Sequence, residues 1–398
     1  AESAVELDNP IWLSESDLGL EAIAVGGESR QKVLVAGADG YARILDGADP
    51  TQQVELATPT EDTIRAIDWH PRGKTALLVG DNGLMLRYVA EDHSVTTVTG
   101  SSQLVNLDMA AIAWNAAGSY AYVAGESGYI WAYYEGQDGQ GVFEIINDEP
   151  GSDITDIACQ EEAQLCAVTT ETDGIALIDS NTNHTMYWIG GEDRRWLGVN
   201  CAEPVFNRCA AIGDGRAIGS IGMSLQRPEE STLFTQIIPD LGGEFTHIHK
   251  RAPGEALISM APFQLTAWDM SNGEAYEWVE YSDVSNASEG LAGERLVGSW
   301  GTTDDSNIGF LVTSFGAVIG FHPAVETSVW TDSLISYILA VVVLVAVPGV
   351  VFGLIFMNSE KLQRKYFERR NAKREVAEQQ RIDKEKAEKR AARKTKKS

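Results

Sequence analysis

The chain has 398 residues, 44% of them hydrophobic, and a formal net charge of -27. Dense negative charge repels phosphates, which excludes nucleic-acid binding by the acidic part of the chain. The same acidity fits a salty environment, where surface repulsion is screened, or simply a soluble acidic surface.

The sequence begins at Ala1 rather than Met, which reads as a mature protein whose signal peptide has been removed. Residues 4–13 ("AVELDNPIWL") precede the first complete repeat. They are expected to supply a strand that closes a ring, with residues 325–330 as the other candidate.

A repeated unit follows. Thr63 to Thr99 has an alternating strand, a turn at "HPRGK", a second strand, a tight Asp81-Asn82-Gly83 turn, a third strand, a polar loop and a fourth strand. Period-2 alternation bounded by Gly and Asn turns marks short antiparallel strands. Ala22–Gly47, Ala110–Tyr134 and Ile154–Asp179 fit the same template. Central turn glycines fall at Gly40, Gly83, Gly128, Gly174 and Gly215. Their spacing, about 41 to 46 residues, is that of four-stranded propeller blades. Two divergent units follow, one without a turn glycine and one with Gly316. The count is seven blades, an all-β seven-bladed β-propeller over 19–325 after an N-terminal segment at 1–18.

Four cysteines lie within this region. Cys159 and Cys166 flank one short turn, and Cys201 and Cys209 flank another. Facing positions of a hairpin are within disulfide reach, so the pairs Cys159–Cys166 and Cys201–Cys209 are expected. Zinc is the rival reading, but there is no CxxC and no matching His spacing.

After a short linker at 326–332, residues 333–357 form an uncharged apolar run interrupted only by Pro348 and Gly349. About 20 such residues suffice to cross a membrane as a helix, and internal Pro and Gly are tolerated there. Residues 358–398 form a basic tail. From Glu360 onward, nine Lys and seven Arg stand against seven Asp or Glu, a net of +9 that leaves -36 for the rest. Basic residues beside a span mark the cytoplasmic side. The expected arrangement is a type I single-pass protein of the cell membrane, with the propeller outside and the tail cytoplasmic. The tail has no Gly or Pro and is rich in helix formers. No heptad persists, so it reads as a solvated helix. A sharper reading has Lys361, Arg364, Lys365, Arg369, Arg370, Lys373 and Arg374 touching anionic lipid or RNA.

Here the chain resembles the WD40-like and YVTN-like β-propeller families over roughly residues 1–325. Trp69, Trp114 and Trp300 end first strands, "HPRGK" resembles the usual turn between first and second strands, and Trp268-Asp269 is the nearest match to the Trp-Asp pair. The resemblance implies an architecture and no particular activity.

Local chemistry is sparse. His247 and His249 alternate on one predicted strand and are weak candidates for a metal. Asp153, Asp156, Asp193 and Asp214 could line one rim and bind Ca²⁺, but no D-x-D-x-D-G loop is present. Asp304-Asp305 and Glu161-Glu162 read as solvated loop carboxylates. Asn183-His184-Thr185 and Asn286-Ala287-Ser288 fit the N-glycosylation pattern. No nucleotide-binding, serine-hydrolase or zinc-protease motif occurs, and no cofactor is called for. The expectation is a non-enzymatic, protein-binding scaffold or assembly subunit of a membrane protein complex. The alternatives are a propeller enzyme (a hydrolase or quinoprotein-type dehydrogenase) with a site in the central channel, and a ligand sensor coupled through the membrane helix.

Overall fold

Each early repeat carries the turn pair that its hairpin needs. Asp39-Gly40, Asn82-Gly83 and Ser127-Gly128 all have positive φ, from 54° to 76°. Two successive left-handed residues match the twist of the flanking strands, so a small polar residue followed by Gly stands at the turn. The computed structural model describes all residues except 1–3, 28–30, 137–139, 161–163, 204–206, 240, 281–292, 303–306, 324–353 and 396–398.

The strands form seven antiparallel sheets. Six have four strands in sequence order, and each is one blade. Their innermost strands are Leu20–Gly26, Ile64–Trp69, Met109–Trp114, Ile154–Cys159, Trp196–Glu203 and Glu244–Ala252. The seventh blade takes Leu296–Gly301, Gly309–Thr313 and Ala317–Pro323 from the end of the ring and Val5–Leu7 from its start. Val5–Leu7 pairs antiparallel with Ala317–Pro323, and Ile11–Trp12 pairs further along the same strand. The first and last parts of the ring thus share one sheet.

The core is a ring of apolar layers between neighbouring blades. Leu34, Ile44, Ile64 and Leu78 fill the layer between blades one and two. Leu257, Trp278, Leu311 and Phe321 fill that between blades six and seven, where Val5 joins them. Second strands such as Thr75–Gly80 and Leu165–Thr170 are buried almost throughout, because a blade lies on both faces. Outer strands alternate, as in Thr232–Ile237, where Phe234 and Ile237 are exposed.

Two compact units are present, Ala1–Ala324 and Val325–Ser398. In the second, Glu360–Thr395 is one α-helix with exposed charges along its described length.

The membrane-spanning helix expected over 333–357 is corrected here. Among the described residues no helix is long and apolar enough to cross a membrane. The long helix, Glu360–Thr395, carries Lys, Arg and Glu on all sides, and each such charge is costly in hydrocarbon. Most of the apolar run, 333–353, and the linker at 326–332 lie outside the described residues. The fold class is a seven-bladed β-propeller with a polar C-terminal helix. The single-pass cell-membrane localisation is corrected with it.

Candidate functional site

In every blade, the loop entering the innermost strand and the turn between the second and third strands lie at the same end of the propeller. On this rim three concavities run together across blades two to five. One, of about 500 Å³, is lined by Arg65, Asp108, Glu126, Asp153, Glu171 and Arg195. A second, of about 400 Å³, shares Glu171 and Arg195 and adds Glu192, Asp193, Arg194 and Asp214. The third, of about 320 Å³, has Met186 and Trp188 beside Asp173 and shares Ile154 with the first and Glu192 with the second.

Several of these carboxylates also hold the rim in shape. Asp108 accepts a hydrogen bond from the Asn82 N–H at 2.9 Å, and Asp153 accepts one from the Ser127 N–H at 2.7 Å. Each thus ties down a left-handed turn of the preceding blade. Asp173 accepts from the Ser152 N–H at 2.7 Å. The arginines are paired. Arg65 bonds Asp81, Arg195 lies 2.5 Å from Glu171, and Arg194 lies 3.1 Å from Asp193. Glu192 and Asp214 have no ion-pair partner among the described residues. Acid therefore outweighs base on this rim, and little of the base is free to meet an anion.

The opposite rim carries the turns between first and second strands. There a cavity of about 460 Å³ gathers Val25, Gly26, Asp68, Trp69, His70, Trp114, Cys159 and Gln160 from four blades. Asp68 accepts the Trp114 N–H at 2.7 Å, which joins the innermost strands of blades two and three. Burial pushes its carboxyl up to about 7, opposed only by backbone N–H donors. The His70 imidazole is fixed as one tautomer. Its Nε2–H donates to the Gly118 carbonyl at 3.0 Å, and its Nδ1 accepts from the Arg72 N–H at 3.0 Å. The ring meets Trp114 edge-on at 4.7 Å. A Cβ on Gly118 would lie 2.6 Å from the His70 ring, so this turn position admits His70 only because it is Gly.

His247 and His249 both lie on Glu244–Ala252, the innermost strand of blade six. His247 Nε2 lies 3.1 Å from Arg295, which pairs with Glu21 at 2.8 Å and donates to the Leu20 carbonyl. This chain links blades six, seven and one. Burial, and next the Arg295 guanidinium, lowers His247 to about 4; burial, then His247, lowers His249 to about 3. Both rings are therefore neutral at pH 7. Among the described residues no group of three or more His, Cys, Asp or Glu is arranged to hold a metal.

The predicted Ca²⁺ rim is only partly brought together. Asp193 and Asp214 share one concavity, and Asp153 lies in the next. Asp156 sits within the innermost strand of blade four, where it accepts the Val199 N–H at 2.9 Å, and burial raises it to about 7. Both disulfides are present, Cys159–Cys166 and Cys201–Cys209. Asn183 is exposed in a turn with φ 55°, beside a buried His184 bonded to the Tyr122 and Tyr134 hydroxyls at 2.6 and 2.8 Å. Asn286, Asp304-Asp305 and Glu161-Glu162 lie outside the described residues. The tail residues Lys361, Arg364, Lys365, Arg369, Arg370, Lys373 and Arg374 are exposed along the helix. Sequence reading missed Asp68 and the Glu21–Arg295–His247 chain. A polar residue breaking the apolar ends of innermost strands ("AIDW" against "AIAW") was the available signal.

No family model matches the chain, and no curated protein matches it. Among solved structures it is similar to YCF48 bound to D1 peptide, with a TM-score of 0.59 and 12% identity over 81% of this chain and 99% of that one. At that identity the likeness is one of fold alone.

Proposed function

We propose that this propeller is a protein-binding scaffold that receives a cationic segment of a partner protein on the acid-lined rim of blades two to five. The observation that carries this reading is the continuity of the three concavities through Glu171, Arg195, Ile154 and Glu192. A run of connected hollows suits an extended chain better than a compact small molecule. Carboxylates such as Glu192 and Asp214 supply complementary charge, which steers encounter and fixes orientation more than it adds affinity. Trp188, 49% exposed, offers the large apolar contact that binding hot spots favour. The fold likeness to YCF48, whose structure holds a D1 peptide, is consistent with a binding role.

The test is carbodiimide coupling of carboxylates to partner lysines in native extracts, followed by mass spectrometry. Links from Glu171, Glu192 or Asp214 to lysines of one reproducible partner are expected, and Glu192→Lys with Asp214→Lys should remove them. Links that persist in that variant, or that join only copies of this chain, would sink the reading.

A further inference from the structure

The cavity on the opposite rim plays no part in that reading, and its chemistry is different. One carboxylate, Asp68, stands among Trp69, His70, Trp114, Val25 and Pro71. Among the described residues the titratable groups lining it are Asp68 and His70; Cys159 is held in a disulfide.

Asp68 is placed expensively. A carboxylate partly withdrawn from water, as Asp68 is, is ordinarily compensated by a cation or by several donors. Here two backbone N–H groups, of Trp69 and Trp114, are the donors that favour its charge, and burial outweighs them. His70 does not compensate it, because both ring nitrogens are engaged with Gly118 and Arg72 backbone groups. Trp69 and Trp114 add indole carbon to the lining, against which an alkyl stem can pack. The volume, about 460 Å³, falls within the range of small-ligand sites and exceeds what an alkylammonium fills.

We infer that this cavity binds a protonated primary alkylamine, with the ammonium on the Asp68 carboxylate and the alkyl stem against Trp69 and Trp114. The amine belongs either to a free small molecule or to a lysine side chain, and both present the same group. Gly26 serves the site directly. A Cβ there would lie 2.1 Å from Trp69 Cγ, so the indole reaches its place only over a glycine. The site is independent of the acid-lined rim, so either can fail alone.

The experiment is calorimetric titration of the full chain with n-butylamine, with acetyl-Gly-Lys-Gly-amide, and with the norleucine analogue of that peptide. Saturable binding of the two amines, and at least tenfold weaker binding of the norleucine peptide, is expected. Tighter binding of the lysine peptide than of butylamine assigns the ligand to a protein side chain; equal or weaker binding assigns it to a free amine. Asp68→Asn should weaken amine binding at least tenfold while leaving the acid-lined rim intact. Should that variant fail to fold, Ala116→Trp decides, since Ala116 is an exposed turn residue at the cavity and an indole there fills it. Binding should also weaken at least tenfold between pH 8.5 and pH 5.5, as the carboxylate takes up a proton. Norleucine binding as tightly as lysine, amine binding unaltered in both variants, or no pH dependence would each overturn the assignment.

Discussion

Val5 lies opposite Pro323 across the ladder that joins the start of the propeller to its end. The Ala4 N–H reaches one blade further, to the Trp278 carbonyl at 3.0 Å. The Val5 side chain is fully buried beside Trp278 and Phe321, whose rings meet edge-on at 4.8 Å. Burying such a valine is worth about 1.5–3 kcal/mol, and each ladder hydrogen bond about 1 kcal/mol net. Val5→Asp should therefore cost on the order of 3 kcal/mol, and removal of residues 1–10 on the order of 5 kcal/mol. Urea unfolding followed by circular dichroism reads both. An unchanged midpoint in the truncated chain would show that the ring does not depend on this strand.

Two half-buried aspartates and two half-buried histidines should give opposing pH slopes. Asp68 and Asp156 are raised from 3.8 to about 7, so the native state keeps protons that the unfolded chain releases. Their contribution is lost as pH rises from about 4 to about 7. His247 and His249 are lowered from 6.5, to about 4 and about 3, so here the unfolded chain binds the extra protons. Their contribution is lost as pH falls below about 6.5. The two slopes nearly cancel near pH 5.5. Asp68→Asn combined with Asp156→Asn should expose the histidine slope, with stability rising by up to about 1.4 kcal/mol per pH unit for each histidine. Urea midpoints at several pH values measure it. A flat profile in the double variant would mean that the histidines are not held neutral.

Much of the ring was legible because its signals are local. A left-handed turn demands Gly at Gly40, Gly83 and Gly128, and that demand recurs at blade spacing. Cys159 and Cys166 sit opposite each other in one hairpin, so their separation alone reveals the pairing. The cavity around Asp68 gave no such signal, because Val25, Asp68, Trp114 and Cys159 come from four blades and meet only when the ring closes. His247 and His249 show the reverse. Their alternation hinted at a metal, yet His247 lies against the Arg295 guanidinium, which opposes one. The apolar run at 333–357 pointed to a span, but the long helix described in that unit is charged throughout.

Each disulfide should contribute modestly, since each closes a short loop. The sequence separations are 7 and 8 residues. Loop-closure entropy then gives about 2.5 kcal/mol per bridge at most. Cys166 packs between blades three and four, whereas Cys201 and Cys209 pack between blades four and five. The losses from Cys159→Ser with Cys166→Ser, and from Cys201→Ser with Cys209→Ser, should be close to additive. Urea unfolding of both double variants and the quadruple variant checks this. A quadruple variant as stable as the parent would mean that the unfolded chain gains nothing from losing the bridges.

Gly26 is a tight steric position set by a side chain of the neighbouring blade. Its φ lies outside the left-handed region, so the backbone itself would accept any residue. The obstacle is Trp69 of the next blade, whose Cγ lies 2.1 Å from where a Cβ would stand. Trp69 cannot yield cheaply. Its Nε1–H donates to the Ala24 carbonyl at 3.1 Å, and its ring meets Tyr88 edge-on at 5.5 Å. Overpacking typically costs about 1–3 kcal/mol, and a displaced indole N–H roughly 1 kcal/mol more. Gly26→Ala should lose about 2–4 kcal/mol and change the near-ultraviolet circular dichroism of the tryptophans. Pairing it with Trp69→Ala, which removes the Cγ and the ring atoms next to it that meet the new Cβ, should recover part of the loss, and a double-mutant cycle on urea midpoints measures the coupling. Strict additivity of the two substitutions would show that Gly26 and Trp69 do not oppose each other across the blade boundary.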